Sequence, residues 1–264
     1  MASLKRLSVY RTAESNNPAN FEFTETAQSS QPDVHIKVVV VGDGGCGKTC
    51  LLVSYSQGVF PERYIPTVFE NYITTLKGPR GEIIELALWD TAGQEEYDRL
   101  RPLSYPDVDV LLVCYSVDSP SSFENVAEKW FPEVTHFCPD SPVILVCLKT
   151  DLRNDTTSAH YLKAQGLSHI TPAQGKSMAQ RLGVYKYMEC SAKDMSGVRD
   201  VFAAAMGVVL KEKGKAKGVK PVRSRSKGAA AAAASATRPG VQSRHSEPVD
   251  DKKKKKKRHQ CLVL

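Results

Sequence analysis

Between residues 35 and 210 short apolar runs alternate with longer amphipathic ones. "KVVVVG", "ALWD", "VLLVCYSV", "PVILVCL" and "KYMEC" read as strands, and helical periodicity follows most of them. Strands that are apolar at nearly every position are buried on both faces, which implies a mostly parallel sheet with helices on both sides, an α/β doubly wound domain. One segment departs from this. In "YITTLKGPRGEIIELALWD" a Gly-Pro-Arg-Gly turn separates two β-rich runs, predicting an antiparallel hairpin at the sheet edge. Thr171, Pro172 and Gln174 form a capping pattern for one helix, which Gly183 closes. Residues 1–34 are polar, without a sustained period, and read as a disordered extension. From residue 211 the texture becomes a low-complexity basic tail whose alanine run has no face to bury.

Charge sharpens this division. Residues 211–264 hold 17 Lys+Arg and 4 Asp+Glu, whereas residues 1–210 hold 19 and 25, so an acidic body with a net charge of −6 carries a basic tail. Such a body does not suit nucleic acid, and the tail suits an anionic surface. The seven cysteines show no CxxC pair and no metal-ligand spacing with histidine, and several lie in apolar runs, as small buried hydrophobes in a reducing compartment do. The amino end has no continuous apolar segment, Met1-Ala2 lacks a myristoylation glycine, and no stretch reaches membrane-spanning length. A cytosolic protein is expected.

The chemistry lies where strands end. Gly42, Asp43, Gly44, Gly45, Cys46, Gly47, Lys48 and Thr49 match GxxxxGK[ST], between a buried strand and an amphipathic helix that continues with Cys50. Its glycines let backbone N–H groups turn toward phosphate oxygens at a helix N-terminus; Lys48 would reach the β and γ phosphates and Thr49 would ligate Mg²⁺. Lys149-Thr150-Asp151 follows another strand. Its carboxylate can accept from guanine N1–H and the 2-amino group, neither of which adenine has, while the Lys149 stem covers the base. At the end of the hairpin, Asp90 is placed to hold Mg²⁺ through water, Gly93 to meet a γ-phosphate through its N–H, and Gln94 to orient an attacking water. Thr67 could complete the Mg²⁺ shell when a γ-phosphate is present.

These residues resemble the Rho family of the Ras superfamily of small GTPases, over residues 35–210 and the last four. The marks are "GDGGCGKT", "FPERYIPTVFENY", "WDTAGQEEYDRLRPLSYP", "KWFPEV", "ECSAK" and an insert at about residues 152–172; the "GDGGCGKT" cradle, "WFPEVTHFC" and "KTDL" look most like the RhoD and RhoF branch. The resemblance implies a P-loop small G domain with a Rho-type insert helix, GTP/GDP and Mg²⁺ as ligands, and Gln94, Lys48 and Thr67 in catalysis. It places Phe60 beside the guanine, Tyr64 and Thr67 in a first switch, residues 93–102 in a second, and Ser191, Ala192 and Lys193 at the base. It makes Trp89 a position read by exchange factors, and Tyr64, Ile65, Pro66, Thr67, Val68, Phe69, Glu70, Asn71 and Tyr72 an effector surface. Leu148 departs from the pattern: many relatives have Asn or Thr there, and leucine cannot hydrogen-bond to the cradle.

Cys261-Leu262-Val263-Leu264 fits a CaaX prenylation motif whose leucine favours geranylgeranyl. One lipid holds a membrane reversibly, and the lysine run at 252–257 supplies the second signal. The expectation is a monomeric, membrane-anchored GTP hydrolase at the cytoplasmic face of the plasma membrane and at endosomes. Its partners are exchange factors, GTPase-activating proteins and effectors of the actin cytoskeleton and membrane traffic. The alternatives are a GTP-loaded scaffold with little hydrolysis and, more distantly, an ATP-using P-loop kinase.

Overall fold

The computed structural model describes residues 10–12, 22–24, 31–63, 66–78 and 81–218, with the backbone alone at 10–12, 22–24 and 214–218. Six strands form the main sheet: β3 (Val34–Gly42), β4 (Phe69–Lys77), β5 (Ile83–Thr91), β6 (Val110–Ser116), β7 (Val143–Leu148) and β8 (Lys186–Glu189). Their spatial order is β4-β5-β3-β6-β7-β8. Every neighbouring pair is parallel except β4 with β5, the predicted edge hairpin. All positions of β6 and β7 are buried, as their unbroken apolar runs require.

Alternate side chains of β3 serve two cores. Ile36, Val38 and Val40 pack with Leu51 and Leu52 of α1 (Lys48–Gln57) and with Val201, Phe202 and Ala205 of α6 (Val198–Gly218). Val39 and Val41 face the other way, toward Val126, Trp130 and Val134 and toward Met178 and Ala179 of α5 (Pro172–Leu182). The helix on that second side is α2 (Pro120–Asn125), a π turn (Val126–Trp130) and α3 (Phe131–Phe137) in succession. The expected capping box of α5 is present, with Gly183 in the left-handed conformation at its end. The insert carries α4 (Thr156–Ala164), capped by Asp155 and exposed apart from Leu162 and the half-buried Ser158.

Short elements lie at both margins of the domain. Within residues 1–34 is a short antiparallel pair, β1 (Tyr10–Thr12) with β2 (Glu22–Thr24), where aromatic residues and threonine favour extended backbone. The change of composition at 211 does not stop α6, because Lys and Glu are good helix formers. Lys213 fixes that extra turn, 2.7 Å from Asp109 and donating to the His35 carbonyl at 2.8 Å. The rest of the basic tail and Cys261 lie outside the described residues.

Candidate functional site

The carboxyl ends of β3, β5 and β7 meet at one edge of the sheet, where open α/β folds bind ligands. From Gly42 the chain curls to Lys48, with Gly47 at φ 109°, a left-handed value that disfavours a side chain. Lys48 is buried, and its ammonium donates to the Gly42 and Asp43 carbonyls at 2.8 Å each, which places the charge within the curl. Burial pushes the Cys46 thiol up in pKa, so it is a packing group. Asp43 is held from outside the loop: its carboxylate accepts from Trp130 Nε1 at 2.6 Å and from Asn125 Nδ2 at 2.8 Å. The π turn between these two donors sets where the buried indole is aimed. Asn125 and Trp130 were not among the site residues read from the sequence.

Beside the cradle Thr49 donates to Asp90 Oδ2 at 2.6 Å, and the Thr67 hydroxyl is 2.7 Å from that of Thr49. Asp90 is fully buried, and among the described residues its Oδ1 has no hydrogen-bond partner. Burial pushes this carboxyl above its ordinary range, against the hydrogen bond from Thr49. A buried carboxylate with one unpaired oxygen, flanked by two hydroxyls, is an all-oxygen set of the kind hard dications take. The three residues expected at a metal therefore come together.

Gly93 and Gln94 follow at the end of β5. A Cβ on Gly93 would fall 2.3 Å from Gly42 O and from Gly44 N, so only glycine lets this backbone lie against the cradle. A Cβ on Gly44 would sit 3.4 Å from Gln94 Cγ, which places the glutamine directly over the loop. Arg101, another residue not singled out from the sequence, holds this segment. Its fully buried guanidinium donates to Ala92 O at 3.0 Å, Asp98 at 2.6 Å and Glu133 at 2.7 Å, and lies 4.6 Å from the Trp130 ring. The sequence shows only its i,i+3 spacing from Asp98; Ala92, Glu133 and Trp130 come from separate elements.

At the end of β7 a cavity of about 200 Å³ is lined by Gly47, Cys50, Phe60, Leu148, Lys149, Asp151, Leu152, Ala192 and Lys193. Its walls are mostly apolar side chains and carbon stems, suited to a flat base, and Asp151 supplies the acceptor. Ser191 donates to Asp151 Oδ1 at 2.6 Å and orients it. The Lys149 ammonium is 3.8 Å from Asp118. A Cβ on Gly47 would lie 3.7 Å from both Leu148 Cδ1 and Lys149 Cε, so the departure at Leu148 replaces a polar contact to the cradle with apolar packing.

Pro66, Val68, Phe69, Glu70 and Asn71 are exposed along the β4 edge, with Tyr72 half-buried; Tyr64 and Ile65 lie outside the described residues. Trp89 is held between Phe69, edge to face at 5.1 Å, and the Lys37 ammonium, 3.7 Å from its ring.

The glycine-rich loop, the oxygen set and the cavity thus share one sheet edge, the arrangement of P-loop nucleotide-binding domains. Comparison with known proteins narrows this. A profile described as the Ras family matches residues 37–211. The GTP-binding protein rhoC of Emericella nidulans is 56% identical over 207 residues, 78% of this chain and 74% of the relative. GTP-binding protein rho4 of Schizosaccharomyces pombe is 58% identical over 184 residues, 69% and 90% of the two chains. GTP-binding protein RHO4 of Saccharomyces cerevisiae is 55% identical over 182 residues, 69% and 60%. The chain belongs to the Ras family and, within it, to the Rho-type small GTPases. The finer likeness to the RhoD and RhoF branch is not supported, and rho4 is the better match.

Proposed function

We propose that the protein is a membrane-anchored two-state switch that binds GTP and GDP with Mg²⁺, hydrolyses GTP, and changes partners with the nucleotide. The observation that carries this reading is the unpaired buried oxygen of Asp90 beside the hydroxyls of Thr49 and Thr67, at the mouth of the Lys48 cradle. Thr49, Thr67 and Asp90 would hold Mg²⁺ there, and its positive charge would offset the negative charge of the phosphates. Lys48 and the cradle N–H groups bind the phosphates, and Asp151 with Ser191, Ala192 and Lys193 reads the guanine. Gln94 orients a water whose oxygen bonds to the γ-phosphorus as the bond to the β-phosphate oxygen breaks, giving GDP and phosphate. Loss of the γ-phosphate removes what Thr67 and Gly93 grip in the GTP state, and both switches relax. In a displacement assay, GTP and GDP should compete for the site while ATP does not, and chelating Mg²⁺ should speed GDP release. Equal displacement by ATP, or release indifferent to chelation, would contradict the assignment.

The exposed β4 edge and Trp89 support exchange factors, activating proteins and effectors as partners, with the actin cytoskeleton and membrane traffic as the processes served. The CaaX motif and lysine run support a prenyl and polybasic anchor at the cytoplasmic face of the plasma membrane and at endosomes. A Cys261→Ser protein should move from the membrane pellet to the soluble fraction; unchanged partitioning would refute the anchor.

A further inference from the structure

Asp151 stands on a five-residue 3-10 turn (Thr150–Asn154) that cannot hold its own place. The turn is entered through Lys149 at φ 56°, ψ 38°, a left-handed conformation that costs a side-chain-bearing residue energy and persists only where the surroundings impose it. Three of the ties that impose it run to the chain around the end of β8. Thr150 N donates to Cys190 O at 3.3 Å, a long bond, and Ser191 donates to Asp151. The third is the strongest. Arg153 Nη1 and Nη2 each donate to a different oxygen of Glu189 at 2.7 Å, a bidentate fork that fixes both distance and orientation. Glu189 ends β8, two residues before Ser191.

The pair is built in from both sides. Tyr187 donates to Glu189 Oε1 at 2.5 Å, and Arg153 Nε donates to the Ile170 carbonyl at 3.1 Å, on the segment returning from α4. Burial opposes ionisation of Glu189, but the hydrogen bonds from Arg153 and Tyr187 outweigh it, and its carboxyl is held below the ordinary range. The ion pair is partly buried and hydrogen-bonded on several edges, unlike an exposed surface pair of little consequence.

We propose that Arg153 is a positioning residue for guanine discrimination: through Glu189 it locks the turn carrying Asp151 to the loop carrying Ser191, and fastens both to the return of the inserted helix. Arg153 does not touch the base; it acts through the placement of Asp151. The proposal rests on Asp151 reading guanine. Its signature follows from the base edge, since inosine keeps N1–H but lacks the 2-amino group, so a displaced Asp151 forfeits two bonds to GDP and one to IDP.

The test is release of fluorescent GDP and IDP from the full chain with Mg²⁺ present, for wild type, Arg153→Met, Glu189→Gln and the charge-reversed pair Arg153→Glu with Glu189→Arg. The single variants should release GDP about 10-fold faster and lower the GDP-over-IDP preference about fivefold, the size of one weakened charge-assisted hydrogen bond. The reversed pair, with its fork restored, should recover most of that preference. Glu189→Gln keeps the side-chain shape and serves where the reversal does not fold. Wild-type rates in the single variants, equal acceleration of both nucleotides, or a folded reversed pair that recovers nothing would overturn the role given to Arg153. A wild-type protein that holds IDP as well as GDP would instead overturn the guanine reading itself.

Discussion

Gly44→Val should leave GTP bound but abolish the acceleration of its hydrolysis by a Rho-type activating protein, a loss of about 10³-fold or more in the stimulated single-turnover rate. The reason is local. A Cβ at this position makes ordinary contact, 3.4 Å, with Gln94 Cγ, so alanine nearly fits. Valine's two further carbons extend into the volume that Gln94 and an arginine supplied in trans must share. A water left without its orienting amide attacks slowly however well the phosphates are held. Because Gly44 has an ordinary negative φ, unlike Gly45 at 73° and Gly47 at 109°, the substitution does not strain the loop. GDP affinity should stay near wild type, and that separates a lost catalytic geometry from a damaged cradle. A Gly44→Val protein that still responds fully to the activating protein would remove Gln94 from the role given to it.

The second large effect concerns the base. Asp151→Asn presents an amide where the carboxylate stood, and its NH₂ meets the N2–H₂ of guanine donor to donor. Xanthine carries a carbonyl at that carbon, which the amide can satisfy. Affinity for GDP should therefore fall by about 100-fold or more, while affinity for xanthosine diphosphate rises, as expected when a buried polar group loses its partner or gains one. Competition binding with the two diphosphates reads this directly. Retained preference for GDP would mean that the cavity at the end of β7 reads the base through other groups.

These two effects could be anticipated from the sequence because each depends on residue types at short, fixed spacing. GxxxxGKT must be contiguous to wrap a phosphate, and the proposed grip on the base needs Lys149 and Asp151 to flank one residue. The sheet was legible for a similar reason: β6 and β7, buried throughout, can only be inner strands, and the Gly78 to Gly81 turn can only join neighbours. The residues that hold the site still were not legible. Trp130 meets Asp43 across 87 positions, and Arg153 meets Glu189 across 36. An arginine or tryptophan with such a partner looks, along the chain, like one at an ordinary surface or core position. Composition alone also does not show the short strand pair at Tyr10–Thr12 and Glu22–Thr24 or the run of α6 past residue 210, since helix propensity does not depend on having a core to face.

The central claim is that this site turns over GTP and is governed by a partner that completes it. Single-turnover hydrolysis of GTP loaded on the wild-type chain, followed with and without a Rho-type activating protein, tests it most directly. Slow hydrolysis alone, accelerated by about 10³- to 10⁵-fold when an arginine is supplied in trans, is the predicted result. Stable GTP that the activating protein does not shorten would contradict it and leave a nucleotide-loaded scaffold.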